Sequence, residues 1–118
     1  MKKTDLRIGD LASRIGVHPE AIRYYERRGL LPRPTRTRSG YRVYTREHLE
    51  RVEFIKWLQP SGFSLEEIRS LLAAKFDAAL PSQHARDVLR KALATVDQRI
   101  AALACTRQGL RQLLRLTK

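Results

Sequence analysis

The sequence predicts a mainly α-helical protein in which a winged helix-turn-helix domain is followed by a long C-terminal helix. Three observations lead to this fold class. Two short amphipathic segments meet at a glycine turn, a basic segment with alternating residues follows them, and a heptad repeat occupies the last third of the chain. With 118 residues the chain has room for one modest core.

The first two helices are predicted from their apolar spacing and their end signals. Gly16 ends the first helix, and the second begins at once with His18 at the cap position and Pro19 at the first helical position, where its missing N–H costs nothing. The spacing i, i+3, i+4, i+7 gives the first helix an apolar stripe of Ile8, Leu11, Ala12 and Ile15. This arrangement is typical of a helix-turn-helix.

The second helix has one face predicted to pack and one predicted to face outward. At about 100° per residue, Ala21, Ile22 and Tyr25 lie together, so we expect them in the core. The exposed face is polar and carries Glu20, Arg23, Tyr24 and Arg27. A helix that lies in a major groove requires long donors for base edges and a phenol for a phosphate oxygen. The alternative for the two arginines is that they are ordinary solvated surface charges.

A basic segment follows the second helix and predicts a short hairpin, or wing. Residues 27–46 hold seven arginines and no acid, and guanidinium groups can bind phosphate or a guanine edge through two hydrogen bonds. The turn signal is Ser39-Gly40, and the alternation after it predicts Tyr41 and Val43 on one face, with Arg42 and Tyr44 on the other. The residues expected to reach phosphate are Arg36, Arg38, Tyr41 and Arg42. A solvated loop is the alternative.

Two more helices are predicted before the heptad repeat. Thr45 is a plausible cap for a third helix that ends before Pro60 and Gly62, with apolar residues at Leu49, Val52, Ile55 and Leu58. Ser64 and Glu67 form a capping box for a fourth helix, with Phe63 and Ile68 as its hydrophobic staple and Ile68, Leu71 and Leu72 as its buried stripe. The segment after it, with Pro81 near the next helix start, is predicted to be a linker.

The last helix carries the alternating spacing of a coiled coil. Its apolar positions, with Arg107 as one basic interruption, are Leu89, Leu93, Val96, Ile100, Leu103, Leu110 and Leu114. Such a stripe needs a partner, most simply a second copy of the chain; packing within one chain is the alternative. Cys105 falls on the outer side of this seam.

Charge and residue content limit the functions that the chain can have. Lys plus Arg outnumber Asp plus Glu by 24 to 12, a net charge of +12, so an anionic partner is expected and double-stranded DNA is the leading candidate. Membrane surfaces and acidic proteins remain open. No apolar run approaches the ~18 residues needed to span a bilayer, and the first residues lack the apolar core of a signal peptide, so we expect a cytoplasmic protein.

Catalysis, metals and cofactors are not expected. The three histidines are isolated from cysteine or carboxylate at ligand spacing, no glycine-rich phosphate loop is present, and one cysteine excludes all-cysteine metal cages within a chain. The alternatives to a regulator are an architectural or recombination-accessory DNA-binding protein and a coiled-coil interaction protein. The long heptad helix favours the regulator, because a dimer formed through it fixes the spacing of two DNA-binding domains.

Four motifs, in order and at family spacing, resemble the MerR family of bacterial transcription regulators. They are Ile22-Arg23-Tyr24-Tyr25-Glu26, Gly29-Leu30-Leu31-Pro32, Ser39-Gly40-Tyr41-Arg42-Val43-Tyr44 and Gly62-Phe63-Ser64-Leu65. The resemblance implies a DNA-binding domain over residues 1–75, a linker over 76–82 and a dimerisation helix over 83–118 that forms an antiparallel coiled coil. It also implies a homodimer that bends and untwists a two-fold symmetric promoter operator for RNA polymerase.

The resemblance further assigns roles to individual residues. Arg23 and Tyr24 match the recognition-helix contacts, Tyr41 and Arg42 match the first wing, and the region from Lys56 to Phe63 matches the second wing. The residues expected to contact DNA are therefore His18, Glu20, Arg23, Tyr24, Arg27, Arg36, Arg38, Tyr41, Arg42 and Lys56. Pro60 and Ser61 depart from the family pattern in that second wing. Metal-sensing members have cysteines near the end of the dimerisation helix, where this chain has Thr117, so no metal site is expected.

Overall fold

The computed structural model describes residues 5–77 and 82–117, and the chain forms two compact units, Met1–Leu72 and Ala73–Lys118. The elements are α1 (Ile8–Ile15), α2 (Pro19–Arg27), β1 (Thr35–Arg36), β2 (Arg42–Val43), α3 (Arg46–Leu58), a 3-10 turn (Gln59–Ser61), α4 (Leu65–Phe76) and α5 (Ser82–Leu116). The predicted fold class, mainly helical with a small wing and a long C-terminal helix, is confirmed.

The turn between α1 and α2 requires its glycine. Gly16 has φ +80°, a region that side chains other than glycine rarely adopt, and its N–H donates to the Ala12 carbonyl at 2.8 Å. His18 then caps α2, because its ring nitrogen accepts the N–H of Glu20 at 3.2 Å. Leu11 and Ile22 are both fully buried, so each helix turns its apolar stripe into the same core.

The wing is a two-stranded antiparallel hairpin with Thr35 opposite Val43 and Arg36 opposite Arg42. Exposure does not follow the predicted alternation of faces, because Val43 and Tyr44 are both buried whereas Tyr41 is 59% exposed. Arg42 and Tyr44, which are predicted to share a face, both contact the Glu26 carboxylate. The ladder itself ends at Val43.

Tyr44 leaves that ladder to pair with a different part of the chain. Its N–H donates to the Leu6 carbonyl at 2.7 Å, and the N–H of Leu6 donates to the Tyr44 carbonyl at 2.8 Å. Both residues are buried, Tyr44 completely. The bridge therefore puts the tyrosine ring in the core and ties the segment before α1 to the wing.

Helices α3 and α4 begin at the predicted caps. Thr45 is the N-cap of α3, and its N–H donates to the His48 ring at 3.0 Å. In α4 the Ser64 N–H donates to Glu67 at 2.8 Å and the Glu67 N–H donates to Ser64 at 3.1 Å, so the capping box is present. The core of this unit also includes the predicted Val52, Ile55, Leu58, Phe63, Ile68, Leu71 and Leu72.

The predicted linker over 76–82 meets a helix at each end. Helix α4 extends through Phe76 and α5 begins at Ser82, so the first and last residues of that range are helical. The rest of the predicted linker over 76–82 consists of Asp77 and of residues 78–81, Pro81 included, which lie outside the described residues. The ends of the predicted domains at residues 1–4 and at Lys118 also lie outside them.

Candidate nucleic-acid interface

The outward face of α2 is fixed by contacts along its whole length. Ile22 and Tyr25 are buried, and the Tyr25 hydroxyl donates to Gln59 Oε1 in the 3-10 turn at 2.9 Å. Burial raises the pKa of Tyr25 above its ordinary value, so the hydroxyl remains a donor. At the other end, the Arg69 guanidinium of α4 donates to the Arg28 carbonyl just past the helix. The helix therefore has one orientation in its domain.

Arg23 projects from the middle of that face and is held by its own helix. Its guanidinium pairs with the Glu20 carboxylate one turn earlier, and the Arg23 side chain is 40% exposed. Tyr24 is exposed beside it. An exposed pair of this kind contributes little to stability but limits the rotamers of the arginine. Arg23 is therefore a partly ordered donor on an accessible surface.

The wing presents its polar groups next to α1. The Arg36 guanidinium donates to the Gly40 carbonyl at 2.9 Å. The Thr37 N–H donates to the Tyr41 carbonyl at 2.8 Å, and the Tyr41 N–H donates to the Thr37 hydroxyl oxygen at 3.2 Å. The Arg7 guanidinium lies 4.4 Å from the centroid of the Tyr41 ring, within the range of a cation–π contact. Because Arg7 is the N-cap of α1, this contact joins α1 to the wing.

An open cavity of about 540 Å³ lies where α1, α2 and the wing meet. It is lined by Arg7, Ile8, Arg23, Arg36, Gly40, Tyr41 and Arg42. Four guanidinium groups and one phenol on a single concave surface form a strongly positive site, and such groups bind phosphate oxygens. The site suits the polyanionic backbone of a nucleic acid.

A second cavity of about 430 Å³ continues the basic surface on the other side of the wing. Its lining is Glu26, Arg27, Leu31, Arg33, Pro34, Arg36 and Arg42. Arg36 and Arg42 line both cavities, so the wing separates two basic concavities. The Glu26 carboxylate lies 3.3 Å from the Arg42 guanidinium at the boundary.

The structure brings together part of the predicted DNA-contact set. Arg23, Arg36, Tyr41 and Arg42 share the larger cavity, and Arg27 joins the smaller one. The other predicted residues line neither of these two cavities: His18, Glu20, Tyr24, Arg38 and Lys56.

Lys56 bonds to the end of another helix in its own domain. Its ammonium donates to the Ile15 carbonyl at 2.6 Å, at the C-terminal end of α1, where a positive charge is favourable. With Arg14, Glu53, Trp57 and other residues it lines a separate cavity of about 400 Å³. The contact of Lys56 with DNA remains a prediction.

Sequence reasoning missed three residues of this surface. Arg7 precedes the first helix and has no motif around it, and its side chain reaches this surface through its contact with the Tyr41 ring. Arg33 belongs to the arginine-rich segment but was not singled out as a contact. Glu26 is part of a family motif, but its pairing with the wing depends on residues sixteen and more positions away.

Helix α5 exposes almost all of its predicted coiled-coil positions. Within this chain Leu93 is 63% exposed and Leu103 is 69% exposed, and Val96 is half-buried. The remaining positions of the repeat are also exposed: Leu89, Ile100, Leu110 and Leu114. A stripe of this length and composition is typical of a surface that another helix covers.

Neither a metal-binding cluster nor a membrane-spanning helix occurs in the part of the chain that the structure describes. Over residues 5–77 and 82–117, no group of three or more His, Cys, Asp or Glu side chains is close enough to hold a metal ion. Cys105 is exposed. In the same described ranges, no helix is both long and apolar enough to cross a membrane.

The fold and the basic surface together define a helix-turn-helix protein of the DNA-binding class. The family model for MerR HTH family regulatory proteins matches residues 6–75, and a second model, described as MerR, DNA binding, matches residues 49–113. The chain belongs to the MerR family of transcription regulators. It is a DNA-binding regulator that acts at promoter operators, and its family is not one of enzymes.

Individual relatives agree with this assignment. The mercuric resistance operon regulatory protein of Bacillus cereus is 54% identical over 66 residues, which are 56% of this chain and 50% of that protein. The regulator ZntR of Escherichia coli K12 is 38% identical over 108 residues, 91% of this chain and 77% of that protein. A MerR family structure from Listeria monocytogenes has a TM-score of 0.82 at 28% identity, and covers 92% of this chain and 83% of that one.

Proposed function

We propose that this chain works as a homodimer in the cytoplasm, where it binds a two-fold symmetric operator in a promoter and distorts the duplex so that RNA polymerase can use it. The single observation that carries the proposal is the cavity shared by Arg7, Arg23, Arg36, Tyr41 and Arg42. It puts donors from the recognition helix and from the wing on one surface. Contacts to base edges and contacts to the phosphate backbone can therefore be made at the same time.

The two sets of donors have different tasks in this proposal. Arg23, Tyr24 and the other outward residues of α2 contact base edges in the major groove, because they are long or aromatic and project from a fixed helix. Tyr41 and Arg42 contact phosphates beside that groove. Phosphate contacts supply affinity that can offset the elastic cost of bending the duplex, about 1–6 kcal/mol.

The dimer part of the proposal depends on α5. The exposed leucines of its heptad repeat would be buried by the same helix of a second copy, and a symmetric dimer reads a symmetric operator. The family resemblance supports an antiparallel pair of these helices. Action on RNA polymerase is likewise supported by the family, whose members are transcription regulators.

The test starts from random-sequence duplexes, because the operator of this chain has to be found first. Purified protein selects bound duplexes over several rounds, and the enriched sequence is compared with a shuffled duplex of the same length and composition by gel shift at several salt concentrations. We expect an inverted repeat, preferential binding of the selected duplex, and a log–log salt slope of about 0.9 per phosphate contacted. Binding that is independent of salt would contradict the proposal.

A second measurement separates regulation from DNA architecture. The selected site is placed between the two promoter elements of a linear template, and transcription by RNA polymerase is measured with and without the protein. We expect the protein to change transcript yield from this template and not from one with the shuffled site. A bend without any change in transcription would support an architectural role and refute the regulatory mechanism proposed here.

A further inference from the structure

Glu26 connects the recognition helix to the wing through two different contacts. It lies in the last turn of α2, and its side chain is only 13% exposed. One carboxylate oxygen, Oε1, accepts a hydrogen bond from the Tyr44 hydroxyl, and the other, Oε2, lies 3.3 Å from a guanidinium nitrogen of Arg42. Tyr44 is fully buried and directly follows β2. The carboxylate is therefore held at one oxygen and pairs with the wing arginine at the other.

Arg42 is in an unfavourable position without this carboxylate. Arg36 lies directly opposite it in the hairpin, and like charges in that register repel each other. The Glu26 charge offsets this repulsion at the Arg42 side. Because Glu26 is mostly shielded from water, its attraction for the guanidinium is screened less than that of a surface pair.

We propose that Glu26 is a positioning residue for DNA binding: it holds the Arg42 guanidinium, and with it the wing, in register with the recognition helix. This inference rests on the proposed function, because it assigns a role within that DNA-binding surface. Arg42 lines both basic cavities, so its place affects the backbone contacts on both sides of the wing. Glu26 itself needs no contact with DNA.

The direction in which DNA affinity changes when the Glu26 carboxylate is removed distinguishes positioning from long-range electrostatic attraction. Removing the carboxylate of Glu26 raises the net charge of the protein by one, and long-range attraction alone then predicts tighter binding to DNA. Loss of positioning predicts weaker binding in spite of that added charge. A carboxylate elsewhere on the domain provides the matched control. Glu50 pairs with Arg46 on α3 and is half exposed.

The experiment measures affinity for the selected duplex, and for its shuffled counterpart, with Glu26→Leu, Glu26→Gln, Arg42→Gln and Glu50→Gln. We expect Glu26→Leu to weaken binding roughly tenfold on both duplexes, as loss of a charge-assisted contact would. Glu26→Gln keeps an acceptor for Tyr44 and is expected to retain more affinity than Glu26→Leu. Glu50→Gln is expected to bind as the parent does or more tightly.

A double-mutant cycle shows whether Glu26 acts through Arg42. In the Arg42→Gln background, Glu26→Leu is expected to cause no further loss of affinity. An equal loss in both backgrounds, or parental or tighter binding by Glu26→Leu alone, overturns the proposal. If thermal unfolding shows that Glu26→Leu does not fold, the same cycle is measured with Glu26→Gln. That substitution is then expected to weaken DNA binding only in the background that retains Arg42. Failure of the parent to prefer the selected duplex would instead refute the proposed function.

Discussion

Arg36 and Arg42 lie directly opposite each other across the two strands of the wing. Both guanidinium groups line the same two cavities, so the wing concentrates positive charge where nothing in its own ladder neutralises it. Cross-strand pairs of like charge destabilise a hairpin. Glu26 offsets part of this repulsion at Arg42, and a DNA phosphate bound beside the two arginines would offset more of it.

This relationship predicts that removing one of the two arginines stabilises the free protein but weakens its binding to DNA. Arg36→Thr removes the repulsion and adds a residue that favours strands, so we expect the free protein to gain about 0.2–1 kcal/mol in low salt. The same change removes a phosphate donor and should weaken binding to all duplexes. Thermal unfolding and gel shifts measure the two effects. Arg38→Thr, in the turn and without a cross-strand partner, is the control and should not stabilise the protein.

Arg23 and Arg42 should differ in what they contribute to binding. Arg23→Ala removes a donor on the recognition helix and should reduce the preference for the selected duplex over the shuffled one by about 1–3 kcal/mol. Arg42→Ala removes a backbone contact and should weaken both duplexes by a similar factor, with a smaller salt slope. Binding titrations of each variant on both duplexes test this. Equal loss of preference in the two variants would contradict the division of tasks.

Lys56 should matter for stability, whatever its role on DNA. Its ammonium bonds the Ile15 carbonyl at the end of α1, and a hydrogen bond to a charged group contributes roughly 1.5–3 kcal/mol when one partner is lost. Lys56→Met keeps most of the aliphatic chain and is expected to lower the Tm. Lys91→Met, on the exposed surface of α5, is the control for loss of charge. An unchanged Tm for Lys56→Met would show that the contact is not maintained in solution.

Tyr44 gives the domain a predictable weakness at alkaline pH. Burial first, and then the hydrogen bond to Glu26, raise the pKa of Tyr44 from 10.0 to about 12. Because folding favours the protonated form, this stabilisation is complete below pH 10.0 and is lost as the pH rises toward about 12.

The measurement compares the parent with Tyr44→Phe, which has no proton to lose at this position. Thermal unfolding at about pH 9 and at about pH 11 gives the loss of stability of each protein. The parent should lose more than the variant between the two conditions. Equal losses would mean that Tyr44 titrates as an ordinary exposed tyrosine does.

Most helix ends could be predicted from the sequence because their signals are local. Gly16, His18 and the Ser64 and Glu67 pair act within one turn of their own helix, and each is found where its pattern indicates. The burial of Tyr44 could not be predicted in this way. The position of Tyr44 depends on its pairing with Leu6, nearly forty residues earlier.

The same distinction applies to the candidate site. The arginine-rich segment indicated a basic surface, because charge density is visible in the sequence. The place of Arg7 depends on its contact with Tyr41, and that of Glu26 on its contacts with the wing. No periodicity within a single element records such contacts between elements, so these residues emerge only from the fold.

The heptad positions of α5 lead to the last prediction, which concerns assembly. Leu103 is 69% exposed in the single chain and belongs to the predicted seam. If a second copy covers this seam, Leu103→Asp puts a carboxylate into an apolar interface without a partner, and desolvation of that charge costs several kcal/mol in each dimer.

Gln98→Asp is the matched control, because the heptad puts position 98 on the side of the helix away from the seam. Sedimentation at about micromolar concentration should find dimers for the parent and for Gln98→Asp, and monomers for Leu103→Asp. A parent that sediments as a monomer would refute the coiled-coil interpretation, and a dimeric Leu103→Asp variant would show that the seam lies on another face of α5.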